Sequence, residues 1–224
     1  MIRVSFLKTF IGWVVSLIIP LAIILTGIRL LLTPWFIKLE YRMPNFPEDS
    51  YGLTQEERLR WAPVALDYLL NDEDISFLGE LKFDDGSSMF NQRELRHMDD
   101  VKELTSAILI IWYFVLGFLL VVVVWAWRGG WMDSFRGMVA RGGVITMMLI
   151  GAMFLFLIIN FRQVFTVFHR IFFEGDTWLF LFSDTLIRLF PMRFWQDAFI
   201  LVGAFSFIGG LAFWTLNKRY RVNA

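Results

Sequence analysis

The chain has 224 residues, of which 57% are hydrophobic and 18% aromatic, and its formal net charge is zero. This composition is far more apolar than that of a soluble domain and indicates a membrane protein. The absence of cysteine excludes a disulfide framework, a thiolate nucleophile and a cysteine-ligated metal, and the absence of a basic run argues against nucleic acid as a partner.

Four stretches of the chain carry no charged residue over 20 residues or more, which is the length that a helix needs to cross a bilayer. The sequence therefore predicts an all-α polytopic membrane protein with four transmembrane helices. The first stretch is expected to stay in the protein as a span, because its apolar run is longer than that of a signal peptide and no small-x-small cleavage site follows it. The four stretches are residues 9–28, 105–127, 142–161 and 198–217.

The charged residues predict the orientation of these spans. If the N-terminus, the 128–141 loop and the C-terminal tail share one side, that side has a single acidic residue, Asp133, and all other acidic residues lie opposite. The positive-inside rule then places both termini in the cytoplasm. The basic residues on that side are Arg3, Lys8, Arg128, Arg136, Arg141, Lys218, Arg219 and Arg221.

A small extracytoplasmic insert is expected between the first two spans. Thr54 and Glu57 match a capping box before apolar residues at helical spacing, which predicts a helix over 55–70. Asp85-Gly86 between two short apolar runs predicts a short hairpin. The chain thus divides into the N-terminus with span one (1–37), the insert (38–104), spans two and three with a basic inner loop (105–161), an outer segment (162–197), and span four with its tail (198–224).

The outer segment after the third span is apolar but carries isolated charges. We expect it to lie along the membrane surface, because such a sequence is too polar to cross the bilayer and too apolar for open solvent. Asp184 and Arg188 are four residues apart within it, which predicts a structural ion pair on one helix face.

His97 and His169 are the only two histidines of the chain. His97 lies about eight residues before the second span, and His169 lies about eight residues after the third. At about 1.5 Å of helix per residue, each histidine is about 12 Å from the end of its span. Because these two spans are antiparallel, both histidines should emerge on the same membrane face at similar depth. The alternative is that both are ordinary interfacial histidines without a catalytic role.

The residues beside the histidines suggest supporting roles. Glu94 and Asp100 each lie three residues from His97, so on a helix either could orient its ring, with Asn91 beside them; the alternative is a solvated helix face. Substrate or headgroup phosphate contacts are expected from three basic residues nearby, which are Arg93, Arg96 and Arg170.

Two histidines without a cysteine, and without a serine in a Gly-x-Ser-x-Gly elbow, favour one type of acyl transfer. One histidine would take a proton from an attacking group, and the other would polarise a carbonyl or protonate the leaving oxygen. Such a pair suits a substrate that supplies its own nucleophile, because proximity then contributes much of the rate.

Four motifs resemble those of a known family. They are Asn91-x-x-Glu94-x-x-His97-Met98-x-Asp100-Val101, Phe168-His169-x-x-Phe-Phe, Trp178-x-Phe, and Leu189-Phe-Pro191-x-x-Phe-Trp195. Together with the order of the spans, they resemble the Lit family of bacterial lipoprotein intramolecular transacylases over nearly the whole chain.

The resemblance implies a function and a location. Such an enzyme moves the sn-2 acyl chain of a diacylglyceryl-cysteine lipoprotein to the α-amino group of that cysteine, which gives the lyso-form. It implies that His97 and His169 are essential. Our leading hypothesis makes His97 the general base and His169 the oxyanion stabiliser or acid, or the reverse, without a cofactor or metal. The partners would be the lipoprotein and the bilayer, at the outer leaflet of the bacterial cytoplasmic membrane.

Two other functions compete with this one. Glu94 and His97 have the E-x-x-H spacing of metal sites in helical bundles, and His169 with Asp184 could complete a shell for a lipid hydrolase or oxidase. The second alternative is a non-enzymatic membrane scaffold whose partner surface is the insert.

Overall fold

The computed structural model describes the backbone of residues 2–222 and the side chains of residues 9–217. Every secondary-structure element assigned within residues 2–222 is a helix, which confirms the predicted all-α fold. In chain order they are α1 (Ile2–Leu31), α2 (Pro34–Glu40), α3 (Gln55–Tyr68), α4 (Ser76–Gly79), α5 (Gln92–Arg128), α6 (Met132–Phe172), α7 (Thr185–Leu189) and α8 (Met192–Val222).

Four of the described helices are long and apolar enough to cross a membrane, as predicted. The helices are longer than the uncharged stretches, because polar residues continue the same helix beyond each apolar run. The basic residues that predicted the orientation fall partly outside the described side chains, namely Arg3, Lys8, Lys218, Arg219 and Arg221. The candidate spans are Thr9–Leu31, Gln92–Arg128, Met132–Phe172 and Met192–Asn217.

Contacts divide the chain into two compact units, of which the first is the four-helix part. Within the described residues it contains the chain up to Arg29, Leu109–Ile159, and the chain from Ile200 onward. Its helices approach closely at glycine: a Cβ atom on Gly210 would lie 2.6 Å from the carbonyl oxygen of Gly143. Small residues at such contacts let backbones of transmembrane helices touch.

The second unit comprises Leu30–Ile108 and Asn160–Phe199, and it holds the predicted insert. Its core is formed by residues from α2, α3, α4, α5, α7 and α8. The α3 helix begins as predicted, with the Thr54 side chain accepting from the Glu57 amide and the Glu57 carboxylate accepting from the Thr54 amide. The core residues include Phe36, Ile37, Tyr68, Leu78, Met89, Leu189 and Phe194.

The predicted short hairpin is present, with a single antiparallel bridge. Lys82 and Ser88 form an isolated antiparallel bridge, and no strand is assigned in residues 2–222. The Asp85 carboxylate accepts hydrogen bonds from both the amide and the hydroxyl of Ser87, and Gly86 supplies the positive φ of 83°. The Phe83 amide donates to the Ser87 carbonyl at 2.9 Å and the Met89 amide to the Leu81 carbonyl at 3.0 Å, so the flanking residues pair over a short length.

The α6 helix is interrupted close to the predicted start of the outer segment. Asn160 has the non-helical φ and ψ of −161° and 89°, and a second helical stretch continues from there to Phe172. The Asn160 side chain accepts a hydrogen bond from the Gln163 amide, at 3.1 Å, and so starts the continuing helix. This continuation carries His169 on a regular helix.

Arg188 does not pair with Asp184, contrary to the prediction. Its guanidinium lies 3.0 Å from the carboxylate of Asp49, which is nearly buried. Asp184 precedes α7, and its carboxylate accepts instead from the Leu181 amide at 2.8 Å and from the Asn91 side chain at 3.1 Å. The four-residue spacing failed because one member of the pair is a cap and not an interior helix residue.

Candidate active site

The second unit brings the two histidines together. Their ring centroids are 5.9 Å apart with an interplanar angle of 25°, and the side chains are 8% and 7% exposed for His97 and His169. His97 is in the second turn of α5, and His169 is in the last turn of α6. The predicted convergence of two distant histidines is therefore what the fold produces.

Aromatic rings surround both imidazoles. Phe173 and Phe180 meet the His97 ring edge-on, at centroid distances of 4.9 and 5.3 Å. Phe165 and Trp178 lie against the His169 ring, at 4.1 and 5.0 Å. Such a surround excludes water and strengthens each polar interaction made within it.

One hydrogen bond assigns the protons of His169. Its Nδ1 lies 2.8 Å from the carbonyl oxygen of Phe165, one helical turn earlier. A carbonyl oxygen can only accept, so Nδ1 carries the hydrogen in this tautomer. The neutral ring then holds its free lone pair on Nε2, which is the ring nitrogen able to accept a proton.

His97 is differently placed. Its Nδ1 atom is buried and has no hydrogen-bond partner among the described residues. A buried polar atom without a partner costs about 1–3 kcal/mol, and such an atom calls for an explanation. A substrate that brings a polar group between the two rings would satisfy it.

Glu94 holds the helix that presents His97 and does not contact its ring. The carboxylate is 1% exposed and accepts from the Asn91 amide at 2.8 Å and from the Leu186 amide at 2.7 Å. The Asn91 side chain accepts in turn from the amides of Arg93 and Glu94. The free amides at two helix starts attract these acceptors, so the expected orienting contact is replaced by a double helix cap.

Asp100 and Arg93 anchor residues 173–184, which we call the aromatic segment. Asp100 accepts from the hydroxyl of Thr177 at 3.2 Å, and Arg93 donates to the carbonyl oxygen of Leu179 at 2.9 Å. These two bonds flank Trp178 on either side. Arg96 and Arg170 are exposed, and their contact with a lipid headgroup remains a prediction.

Sequence reasoning gave no role to the aromatic segment. Trp178 and Phe180 stood in a motif of the family resemblance, but nothing in their spacing indicated contact with the histidines. The signal that could have found them is the density of aromatic residues directly after His169.

The carboxylates that the metal-site alternative requires are engaged in other hydrogen bonds. Both oxygens of Glu94 bind backbone amides, and the Asp184 carboxylate binds Leu181 and Asn91. Within the side chains described, 9–217, no three histidine, aspartate or glutamate residues are grouped as ligands for one ion. The predicted ligand set of Glu94, His97, His169 and Asp184 is therefore not assembled within the described side chains.

One family model and one curated relative match most of the chain. The family model described as lipoprotein intramolecular transacylase Lit matches residues 13–195, which include both histidines and the aromatic segment. An uncharacterised protein of Aquifex aeolicus (strain VF5) is 29% identical over 205 residues, which is 92% of each chain.

Solved structures show the same fold. The membrane-integral lipoprotein intramolecular transacylase Lit from Bacillus cereus matches with a TM-score of 0.80 and 22% identity, over 98% of this chain and 97% of that chain. A second structure of the Bacillus cereus protein, with one histidine replaced by arginine, matches with a TM-score of 0.74 and 21% identity, over 98% and 96% of the two chains.

Proposed function

The chain belongs to the lipoprotein intramolecular transacylase Lit family, and we propose that it moves the sn-2 acyl chain of a diacylglyceryl-cysteine lipoprotein to the α-amino group of the same cysteine. It is a membrane acyltransferase. The observation that carries the detailed proposal is the pair of buried imidazoles, 5.9 Å apart, inside an aromatic surround.

The reaction is balanced within one substrate molecule. The cysteine nitrogen forms a bond to the ester carbonyl carbon, the bond from that carbon to the glyceryl oxygen breaks, and one proton moves from nitrogen to oxygen. Because nucleophile and ester are on the same molecule, the enzyme needs to hold them together and move the proton. The product is N-acylated and keeps one acyl chain on its glyceryl group.

We assign the proton transfer to His169. Its Nδ1 is held by the Phe165 carbonyl, so Nε2 is free to take the proton from the attacking amine and to return it to the glyceryl oxygen. His97 then donates an N–H to the carbonyl oxygen, where negative charge develops. This assignment is the second of the two that the sequence left open, with His169 and not His97 as the base.

The proposal includes a location and a topology. The end of α5 and the start of α6 carry Arg128 and Arg136 against the single acid Asp133, which supports a cytoplasmic position for this connection and for both termini. The histidines would then face the outer leaflet of the bacterial cytoplasmic membrane, where lipid-anchored substrates reside. Exposed Arg96 and Arg170 would face the lipid headgroups.

The test uses a reporter lipoprotein expressed with this chain or with its His97→Ala and His169→Ala variants. The transfer is an isomerisation and leaves the lipid mass unchanged, so tandem mass spectrometry must locate the acyl chain on nitrogen or on glycerol. We expect N-acylated lyso-form with the unaltered chain and diacylglyceryl form with both variants. Undiminished lyso-form from both variants would refute the proposal.

A further inference from the structure

Trp178 has a buried N–H group that no atom of the described chain accepts. The indole Nε1 is buried and unpartnered, and the ring centroid is 5.0 Å from that of His169. Two other tryptophans show the usual situation: Trp195 donates to the Phe190 carbonyl at 3.1 Å, and Trp112 donates to the Thr26 hydroxyl at 3.0 Å. Trp178 therefore differs from these in having its donor free beside the candidate base.

The fold holds this donor in place. The residues on either side of Trp178 are each tied to α5, Thr177 through Asp100 and Leu179 through Arg93. A buried donor without an acceptor is unfavourable, and the chain could relieve it by turning the indole toward solvent or a carbonyl. The two flanking bonds hold the chain on either side of Trp178, and the indole nitrogen is nevertheless buried without an acceptor in the described chain.

The chemistry of the donor selects its partner. An indole N–H can only donate and does not ionise, so it neither takes nor delivers the reacting proton. Among the groups of the proposed reaction, an oxygen that gains negative charge beside the base is the acceptor that fits such a donor best. Fixed donors aimed at that oxygen stabilise the transition state more than the ground state.

We propose that Trp178 is a catalytic residue whose Nε1–H donates a hydrogen bond to the carbonyl oxygen of the migrating acyl group as it becomes the oxyanion. The inference rests on the proposed acyl transfer and deepens it. His97 supplies one donor to this oxygen and Trp178 the second, while His169 moves the proton. The aromatic surround keeps water from competing for the same oxygen.

The first test compares Trp178→Phe with Trp195→Phe in the purified full chain, using a synthetic diacylglyceryl-cysteine lipopeptide. Phenylalanine keeps an aromatic ring and removes the N–H. Loss of one oxyanion donor lowers kcat by about 100- to 1000-fold, and we expect that loss for Trp178→Phe with KM changed less than about threefold. Trp195→Phe is the matched control and should keep wild-type kcat, because its N–H is already satisfied by Phe190.

The second test separates a catalytic role from a packing role. With ¹⁵N-labelled indole groups, a lipopeptide phosphonate that mimics the tetrahedral intermediate should move the Trp178 N–H resonance downfield. An ether analogue without the carbonyl oxygen should leave it unmoved. A downfield shift with the phosphonate alone, together with the kcat loss, supports the inference.

Three outcomes overturn the inference. The first is a wild-type kcat for Trp178→Phe. The second is a change in KM or stability of that variant without a loss of kcat. The third is a Trp178 N–H resonance that does not shift when the phosphonate binds. Failure of the inference is distinguishable from failure of the proposed function. If His97→Ala and His169→Ala are inactive while Trp178→Phe is fully active, acyl transfer stands and the tryptophan donor is refuted; if both histidine variants are active, the proposed function itself is refuted.

Discussion

The carboxylate of Glu94 accepts a hydrogen bond from the backbone amide of Leu186 at 2.7 Å, and thereby joins the start of α5 to the start of α7. The two residues are 92 positions apart. His97 lies one turn further along α5, so its position depends on this link. A residue without contact to the reacting groups therefore sets where one of them stands.

Glu94→Ala should reduce both stability and rate. It leaves the Asn91 and Leu186 amides without their acceptor, which costs about 1–3 kcal/mol for each buried group. Glu94→Gln keeps one oxygen as acceptor, so its melting temperature and rate should lie between those of Glu94→Ala and the unaltered chain. The losses of stability and rate are measured by thermal unfolding and by initial rates in detergent. Glu103→Gln, at an exposed position of the same helix, is the control. Equal melting temperatures for Glu94→Ala and the unaltered chain would contradict the double cap.

The tautomer of His169 makes a second prediction. Asparagine can place its amide nitrogen near the Nδ1 position and donate to Phe165, but it has no base at the Nε2 position. His169→Asn should therefore keep the melting temperature and lose about 100- to 10,000-fold in rate, which is the usual contribution of a general base. His169→Gln, whose amide reaches the other ring position, should lose both rate and stability.

Nitrogen NMR of the unaltered chain checks the same assignment directly. At neutral pH the His169 ring should show a protonated Nδ1 and an unprotonated Nε2. A spectrum with the hydrogen on Nε2 would reverse the assignment of the base.

The pair of Asp49 and Arg188 predicts how stability depends on acid. Burial raises the pKa of Asp49, but the hydrogen bonds from Arg188 and the Leu53 amide outweigh it, and the net pKa lies below the ordinary value of 3.8. A depressed pKa means that the pair stabilises the fold above the unfolded-state pKa. That stability is lost as the pH falls through the folded-state pKa, so Asp49→Asn should lower the melting temperature at pH 7 and the difference should close below about pH 4.

Asp133→Asn is the matched control for this acid dependence. Asp133 pairs with Arg136, but its side chain is 94% exposed. Exposed pairs contribute little, so no measurable change is expected at either pH. A pH-independent loss in Asp49→Asn would show that packing, and not charge, explains its effect.

Glu40 predicts the opposite pH dependence. Burial, together with the neighbouring Asp197 carboxylate, raises the pKa of Glu40 to about 8. The folded state therefore holds a proton that the unfolded chain releases above its pKa of 4.5, and stability falls as the pH rises from about 4.5 to about 8.

Glu40→Gln should remove this loss, because an amide does not ionise. Its melting temperature should exceed that of the unaltered chain at pH 9, and the advantage should shrink toward pH 5. Thermal unfolding across this range is the measurement. Parallel curves for the two proteins would contradict the raised pKa.

The parts of the fold that local chemistry determines were predictable from the sequence. Runs without charge predict spans because a charge in lipid is costly, and Thr54 with Glu57 predicts a helix start because both bonds form within four residues. The convergence of His97 and His169 followed from the antiparallel order of two spans. Each of these inferences needs only sequence distance and the dimensions of a helix.

The parts that depend on partner choice across the chain were not predictable. Arg188 pairs with Asp49, which lies 139 residues away, and not with Asp184 four residues away, because the Asp184 carboxylate accepts from the Leu181 amide and the Asn91 side chain. Glu94 likewise bound Leu186 and not the nearby His97. Spacing along the chain identifies which groups can meet on a helix, but not which competing donor lies closer once the helices are packed.

The close approach at Gly143 and Gly210 restricts variation far from the chemistry. Each backbone occupies the volume in which the other residue would place its first side-chain atom, whereas nothing lies within 4 Å of that atom at Gly151. In a library of all single substitutions, positions 143 and 210 should tolerate glycine alone. Position 151, which is eight residues after 143 in α6, should tolerate many residue types.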